Sequence, residues 1–200
     1  MMNYDAIVIG VSSGGLNAMK IMFSLLPADF SMPIIIVQHI GARSENIWIQ
    51  LFNDKSKLEI KEADEKEEIE KGKIYIAPSN YHLLIEQDKT FSLTVDERVN
   101  YARPSIDVLF ETAAEAYQNR LIGVVLTGSN NDGSKGIKRI KERGGLTIVQ
   151  QPDTAESSYM PESAIATIQP DYILPLEEIM KLLIEIDIKN KNYDEINGQR

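Results

Sequence analysis

Four short, mostly apolar runs constrain the fold of this chain more than any other feature: Tyr4 to Ile9, Ile34 to Gln38, Leu121 to Leu126 and Leu146 to Gln150. Continuous apolar runs of this length read as strands buried on both faces, the signature of a parallel sheet. Helical patterns alternate with them. Leu16, Met19, Met22, Phe23 and Leu26 place a helix over Gly14 to Leu26, and Ile47, Trp48, Leu51 and Phe52 place another over about Ser44 to Asn53. Pro104 opens a third, with Ile106, Leu109, Phe110, Ala113, Ala114 and Tyr117 inward, since proline suits a first helical turn. A basic amphipathic helix from Ser134 to Arg143 stops at Gly144-Gly145, a short helix starts at Pro161, and Leu176 to Ile188 forms the last. Alternating strands and helices predict an α/β fold: a doubly wound, mostly parallel sheet with helices on both faces.

Three short β segments, Lys73 to Ile76, Tyr81 to Ile85 and Thr90 to Val95, are separated by turn residues. They predict an antiparallel excursion near residues 73–95. Leu58-Glu59-Ile60 reads as a short strand and Asp171 to Leu174 as an edge strand. The charge run from Lys61 to Lys73 reads as solvated surface. No linker or repeat divides the chain, so residues 1–188 are expected to form one domain and residues 189–200 a polar, flexible tail.

Composition narrows the function. A net charge of −9 argues against binding a phosphate backbone, so no nucleic-acid partner is expected. There is no cysteine, hence no thiol nucleophile or thiolate metal site. The apolar run at Ile34 to Val37 is too short to span a bilayer, and no basic segment precedes an apolar run at the start. A cytoplasmic protein without membrane insertion is the expectation. Only two histidines, His39 and His82, are available for acid–base work.

Three of the apolar strands lead into residues able to carry chemistry: Ser12, His39 and Asp132. Parallel strands share one direction, so the three residues emerge on one sheet edge. A doubly wound order can bring them together at its switch point. There they form an acyl-transfer triad, with Ser12 as nucleophile, His39 as base and Asp132 orienting the imidazole. The developing oxyanion needs donors, and the two turns at Ser13-Gly14-Gly15 and Ser129-Asn130-Asn131 are placed to offer backbone N–H groups. Each residue also fits a plainer role: Ser12 an N-cap, His39 a packing residue, Asp132 a turn former. Gly10-x-x-x-Gly14-Gly15 is not the dinucleotide fingerprint, and neither a P-loop lysine nor a G-x-S-x-G elbow is present. The two histidines lack ligand-like neighbours, so no metal site is expected.

Five ordered motifs resemble the catalytic domain of the chemotaxis receptor protein-glutamate methylesterases (CheB-type). They are Ile9-Gly10-Val11-Ser12-Ser13-Gly14-Gly15, Val37-Gln38-His39, Tyr75-Ile76-Ala77-Pro78 with His82, Arg103-Pro104-Ser105-Ile106-Asp107-Val108-Leu109-Phe110, and Leu126-Thr127-Gly128 with Asn131-Asp132-Gly133. The resemblance spans about Tyr4 to Ile186. It implies hydrolysis of glutamate γ-methyl esters on the cytoplasmic helices of chemoreceptors, with release of methanol, and in some members deamidation of glutamine. It implies Ser12, His39 and Asp132 as the triad and neither cofactor nor metal. Arg103 becomes a candidate substrate contact, with Ser13, Gly14, Ser129 and Asn130 on the oxyanion and substrate side; His82 is assigned a structural role. Two departures stand out. Ser129-Asn130 replaces the family's Met-Gly, and strand one begins at Tyr4, so the phosphoryl-receiver domain that precedes many members is not expected. Control by a separate regulatory protein then becomes an option. The competing expectations are a non-catalytic docking module on the same fold and an esterase or amidase for small molecules.

Overall fold

The computed structural model describes residues 3–39 and 47–198. In chain order the elements are β1 (Ala6–Val11), α1 (Gly15–Leu25), β2 (Ile34–Gln38), α2 (Ile47–Asn53), β3 (Glu59–Glu62), β4 (Lys73–Ile76), β5 (His82–Ile85), β6 (Phe91–Thr94) and α3 (Ile106–Tyr117). Next come β7 (Leu121–Val125), α4 (Ser134–Glu142), β8 (Leu146–Gln150), α5 (Tyr159–Thr167), β9 (Tyr172–Leu174) and α6 (Leu176–Asn197). Short 3₁₀ turns precede β7 and α5.

Seven strands form one parallel sheet in the order β3-β4-β2-β1-β7-β8-β9. The chain moves outward from β1 through β2 and β4, then returns to the other side at β7. The β1–β7 boundary is therefore the topological switch point, where open α/β sheets bind ligands. Side chains alternate between two cores. Ile7, Ile9 and Val11 face a layer with Met19, Met22, Phe23, Ile179 and Leu183 from α1 and α6. Ala6 and Val8 face Leu109, Phe110, Ile137, Ile140 and Met160 from α3, α4 and α5. All six β1 residues are buried, which accounts for the unbroken apolar run.

The doubly wound sheet is as expected, and the differences lie in its outer parts. The antiparallel excursion is the β5–β6 hairpin alone; β4 pairs parallel with both β2 and β3 in the main sheet. Pro104 does not open α3. Ser105 caps it, with its hydroxyl accepting from the Val108 N–H, and Pro104 stands just outside. The polar segment from residue 189 is helical as far as Asn197, as a continuation of α6. Residues 44–46 of the expected second helix lie outside the described residues. Among the described residues, no helix is long and apolar enough to cross a membrane.

Candidate active site

The hydrogen-bond ladders of the sheet run past its strand ends and assemble the site. In the β1–β2 register Val11 faces Gln38, and the His39 N–H then donates to the Val11 carbonyl at 3.1 Å. On the other side of β1 the Leu126 N–H donates to Gly10, and the Ser12 N–H to the Thr127 carbonyl at 2.9 Å. Residues just beyond three neighbouring strands are thus pinned to one another by backbone bonds. Gln38 adds a lock: its Nε2 donates to the Ser12 carbonyl at 3.0 Å and to the His39 carbonyl at 2.9 Å. Gly15 leaves room for that side chain, since a Cβ there would lie 1.8 Å from Gln38 Oε1.

The three candidate residues meet. Ser12 Oγ lies 3.2 Å from His39 Nδ1, and His39 Nε2 lies 2.9 Å from Asp132 Oδ2. The serine and the imidazole are largely covered, and the carboxylate is wholly buried. An ionised carboxylate can only accept, so the ring carries its proton on Nε2 and turns the bare lone pair of Nδ1 toward Ser12. The nitrogen facing the hydroxyl is therefore the one nearer the ring's own backbone.

Asp132 is held by five donors. Oδ2 accepts from His39 and from the Ile106 N–H at 2.7 Å. Oδ1 accepts from Ser105 Oγ at 2.9 Å, the Asp107 N–H at 3.1 Å and Asn100 Nδ2 at 3.2 Å. Two of these are backbone N–H groups at the start of α3, where a helix N-terminus favours an anion. Burial pushes the Asp132 carboxyl upward, but the bonds from His39, Ile106 and Asp107 outweigh it and hold the acid below its ordinary value. Behind it sits Asp107, also buried. Its oxygens accept from the Gly136 N–H at 2.8 Å and Asn100 Nδ2 at 2.9 Å. Burial raises this carboxyl to about 6, against the bond from Gly136 and with the charge of Asp132 contributing.

The two turns line the nucleophile's other side. Gly14 adopts φ 81°, a left-handed conformation, immediately before α1. The Ser13 hydroxyl meets the Ser129 hydroxyl at 2.7 Å, and Thr127 Oγ1 donates to the Ser13 carbonyl at 2.8 Å, tying the two turns together. Among the described residues, the backbone N–H groups of Ser13 and Ser129 have no acceptor within the chain. Asn130 turns its carboxamide inward: Oδ1 accepts from the Asp132 N–H at 3.0 Å, and Nδ2 lies 3.0 Å from His39 Nδ1. Arg103 lines the cleft beside His39, but its Nη1 donates to the carbonyls of Val95 (2.5 Å) and Asp96 (2.9 Å) and so holds the loop before it. Both ring nitrogens of His82 are engaged elsewhere, buried between the Glu97 carbonyl and the Ser105 N–H. Among the described residues, no group of three or more His, Asp or Glu is arranged to hold a metal ion.

Sequence reasoning passed over Gln38, Asn100, Ser105 and Asp107 as site residues. A signal existed for Gln38, the one polar residue in an otherwise apolar strand, and for Ser105, a serine at a helix start.

Comparison with known proteins points to one family. The family model described as CheB methylesterase matches residues 7–183. A Leptospira interrogans protein, provisionally named a protein-glutamate methylesterase/protein-glutamine glutaminase, is 59% identical over 189 residues, which cover 94% of this chain and 98% of that one. The Thermotoga maritima protein-glutamate methylesterase/protein-glutamine glutaminase is 35% identical; the match covers 90% of this chain and 53% of the relative, so the chain spans about half its length. The crystal structure of the Thermotoga maritima CheB methylesterase catalytic domain superposes with a TM-score of 0.87 at 34% identity, covering 92% of this chain and all of that one. With the switch-point site, the matched residues and the superposition in agreement, this chain belongs to the CheB methylesterase family.

Proposed function

We propose that this chain hydrolyses γ-methyl esters of glutamate side chains on a protein substrate, with Ser12 as nucleophile, His39 as general base and Asp132 as the orienting acid. The observation that carries the reading is the linear array from Ser12 Oγ through the imidazole to Asp132. Ser12 Oγ attacks the ester carbonyl carbon while its proton passes to the lone pair of His39 Nδ1, and the carbonyl π pair moves onto oxygen. The Ser13 and Ser129 N–H groups are free to donate to that oxyanion. Collapse breaks the bond to the methoxy oxygen, which takes the proton from Nδ1 and leaves as methanol. Water then attacks the acyl-serine by the same route, with His39 again the base, and the glutamate carboxylate departs. Asp132 stays ionised throughout and stabilises the imidazolium.

The relatives' names support the substrate class, since they describe protein-glutamate methylesterases and, in two of the cases above, protein-glutamine glutaminases. A glutamine carboxamide presents the same acyl carbon, with ammonia in place of methanol, so we include deamidation in the proposal. The substrate that fits the family is the methylated cytoplasmic helical region of a chemoreceptor. Methanol release from radiomethylated receptor should fall to background in Ser12→Ala while the variant keeps its melting temperature. Release that survives the substitution would refute the mechanism. A folded parent protein that binds receptor but releases no methanol would point instead to a docking module.

A further inference from the structure

The base nitrogen of His39 has one lone pair and two claimants. Ser12 Oγ approaches it at 3.2 Å, and Asn130 Nδ2 at 3.0 Å. The carboxamide cannot be turned round to relieve this, because its oxygen receives the Asp132 N–H at 3.0 Å. A backbone donor requires an acceptor there, so the amide nitrogen faces the ring. The imidazole is fixed as well: Nε2–H is committed to Asp132, which leaves Nδ1 as the acceptor. The Ser12 hydroxyl must therefore compete for the electron pair that is to take its proton.

We propose that Asn130 is a positioning residue that caps the catalytic base, so that the resting site is held back until the carboxamide is displaced from His39 Nδ1. The inference rests on the reading of His39 as the base. Once Nδ1 accepts the Ser12 proton, Nδ1–H and the Asn130 N–H become two donors facing each other at 3.0 Å. The amide has to leave for the imidazolium to form. An ester on a protein chain brings further carbonyl oxygens into the cleft that His39 and Asn130 share with Arg98, Tyr101 and Arg103. Such oxygens can accept the displaced N–H. A small ester lacking them must break the Asn130 bond without replacement. The cap thus selects for extended polar substrates over small esters.

The charged groups around the ring bear on the test. Asp132 faces the ring from the loop after β7, with Asp107 of α3 behind it. Arg98 and Arg103 line the cleft on one side, and Glu156 lines the Ser12 side. All are unchanged when only Asn130 is altered.

The experiment compares the parent protein, Asn130→Ala and Asn130→Ser. The serine variant keeps an acceptor for the Asp132 N–H but is too short to cap the ring. The first readout is the rate at which a small alkyl fluorophosphonate labels Ser12, with Ser12→Ala as blank. Labelling should rise roughly fivefold to tenfold in both variants, the worth of one net hydrogen bond. The second is the imidazole nitrogen NMR spectrum of the free protein. The Nδ1 resonance of the neutral His39 ring should move in both variants, because it loses the Asn130 donor. A labelling rate that is unchanged or lower, with an unmoved Nδ1 resonance, overturns the cap while leaving the hydrolase reading intact. A protein that the probe labels in none of the three forms refutes the hydrolase reading, and the cap with it.

Discussion

Ser105 Oγ lies 2.9 Å from Asp132 Oδ1 and at the same time accepts from the Val108 N–H as the N-cap of α3. One hydroxyl therefore joins the start of a core helix to the acid of the candidate triad. The helix and the site are built together, since the Ile106 and Asp107 N–H groups also bind that carboxylate. A serine at this position does more than start a helix: it helps fix the acid that orients the base.

Ser105→Ala removes both contacts. The lost cap and the lost bond to a buried charge should together cost about 1–3 kcal/mol of stability. Ester hydrolysis should slow by roughly threefold to tenfold, because four donors still hold Asp132 and the imidazole keeps its partner. Urea denaturation and steady-state methanol release measure the two effects, and Ser105→Thr, which keeps the hydroxyl, should restore most of both. An alanine variant with unchanged turnover would show that Ser105 serves the helix alone.

Asp107 makes stability pH-dependent with a sign opposite to that of Asp132. Its carboxyl is raised to about 6, first by burial and also by the nearby Asp132 charge, against an ordinary value of 3.8. The folded state therefore holds this proton more tightly than the unfolded chain does. The resulting stabilisation is complete below about pH 4 and is lost as pH rises through about 6. An Asp107→Asn variant carries no such proton at this position. Between pH 4 and pH 7 the parent protein should therefore lose up to roughly 3 kcal/mol relative to that variant. Urea midpoints of both proteins across that range test this. A constant difference between them would place the Asp107 titration at its ordinary value.

How much of the site could be read from residues alone depended on whether a contact lies along the chain direction. Ser12, His39 and Asp132 were legible because each comes after an apolar run, and parallel strands deliver the residues beyond their C-terminal ends to one edge. The partners of Asp132 were less so. Asn100 and Ser105 act through another residue, and their own neighbours look like an ordinary loop and helix start. Residues alone place Lys73-Ile74-Tyr75-Ile76 in the antiparallel excursion, because the run is too short for its period to reveal its partner; in the fold β4 pairs between β2 and β3. Arg103 carried the right motif for a substrate contact, yet its Nη1 is taken up by two carbonyls of its own loop.

Gly14 and Gly72 separate backbone freedom from site crowding. Both have positive φ, 81° and 73°. A Cβ on Gly14 would lie 2.7 Å from Glu156 Cβ and 3.0 Å from Thr127 Oγ1, whereas on Gly72 the nearest atom is 3.5 Å away. Gly72→Ala should cost only the left-handed conformation, about 1 kcal/mol, with turnover retained. Gly14→Ala should cost more and push the Ser13 N–H off the oxyanion position, lowering turnover at least roughly tenfold. Equal turnover in the two variants would mean that the Ser13 turn takes no part in catalysis.

The polar end of α6 offers a test that should move stability without touching chemistry. Composition gives residues beyond 188 the look of a solvated tail, but Asn190 is 6% exposed. Its Nδ2 donates to the Tyr4 carbonyl at 2.8 Å, and its Oδ1 accepts from the Tyr4 N–H at 3.4 Å. Nearby, Asn3 Nδ2 donates to Asp194 at 3.0 Å, and Lys191 pairs with Asp187 at 2.9 Å. Asp187 is itself buried and accepts from the Ser31 and Met32 N–H groups. These polar residues meet polar partners in the chain leading into β1 and β2, so they satisfy buried backbone that apolar residues could not. The Tyr4 contacts lie before β1, at the sheet edge opposite Ser12. Asn190→Ala should therefore lower stability by about 1–3 kcal/mol, the cost of leaving buried groups without their partner. Turnover measured well below the melting temperature should stay at the parent value. Removal of residues 190–200 should cost more than the single substitution, again with turnover preserved in the folded fraction. A truncated protein as stable as the parent would show that these contacts contribute nothing, and a folded one with impaired turnover would show that the two edges of the sheet are coupled.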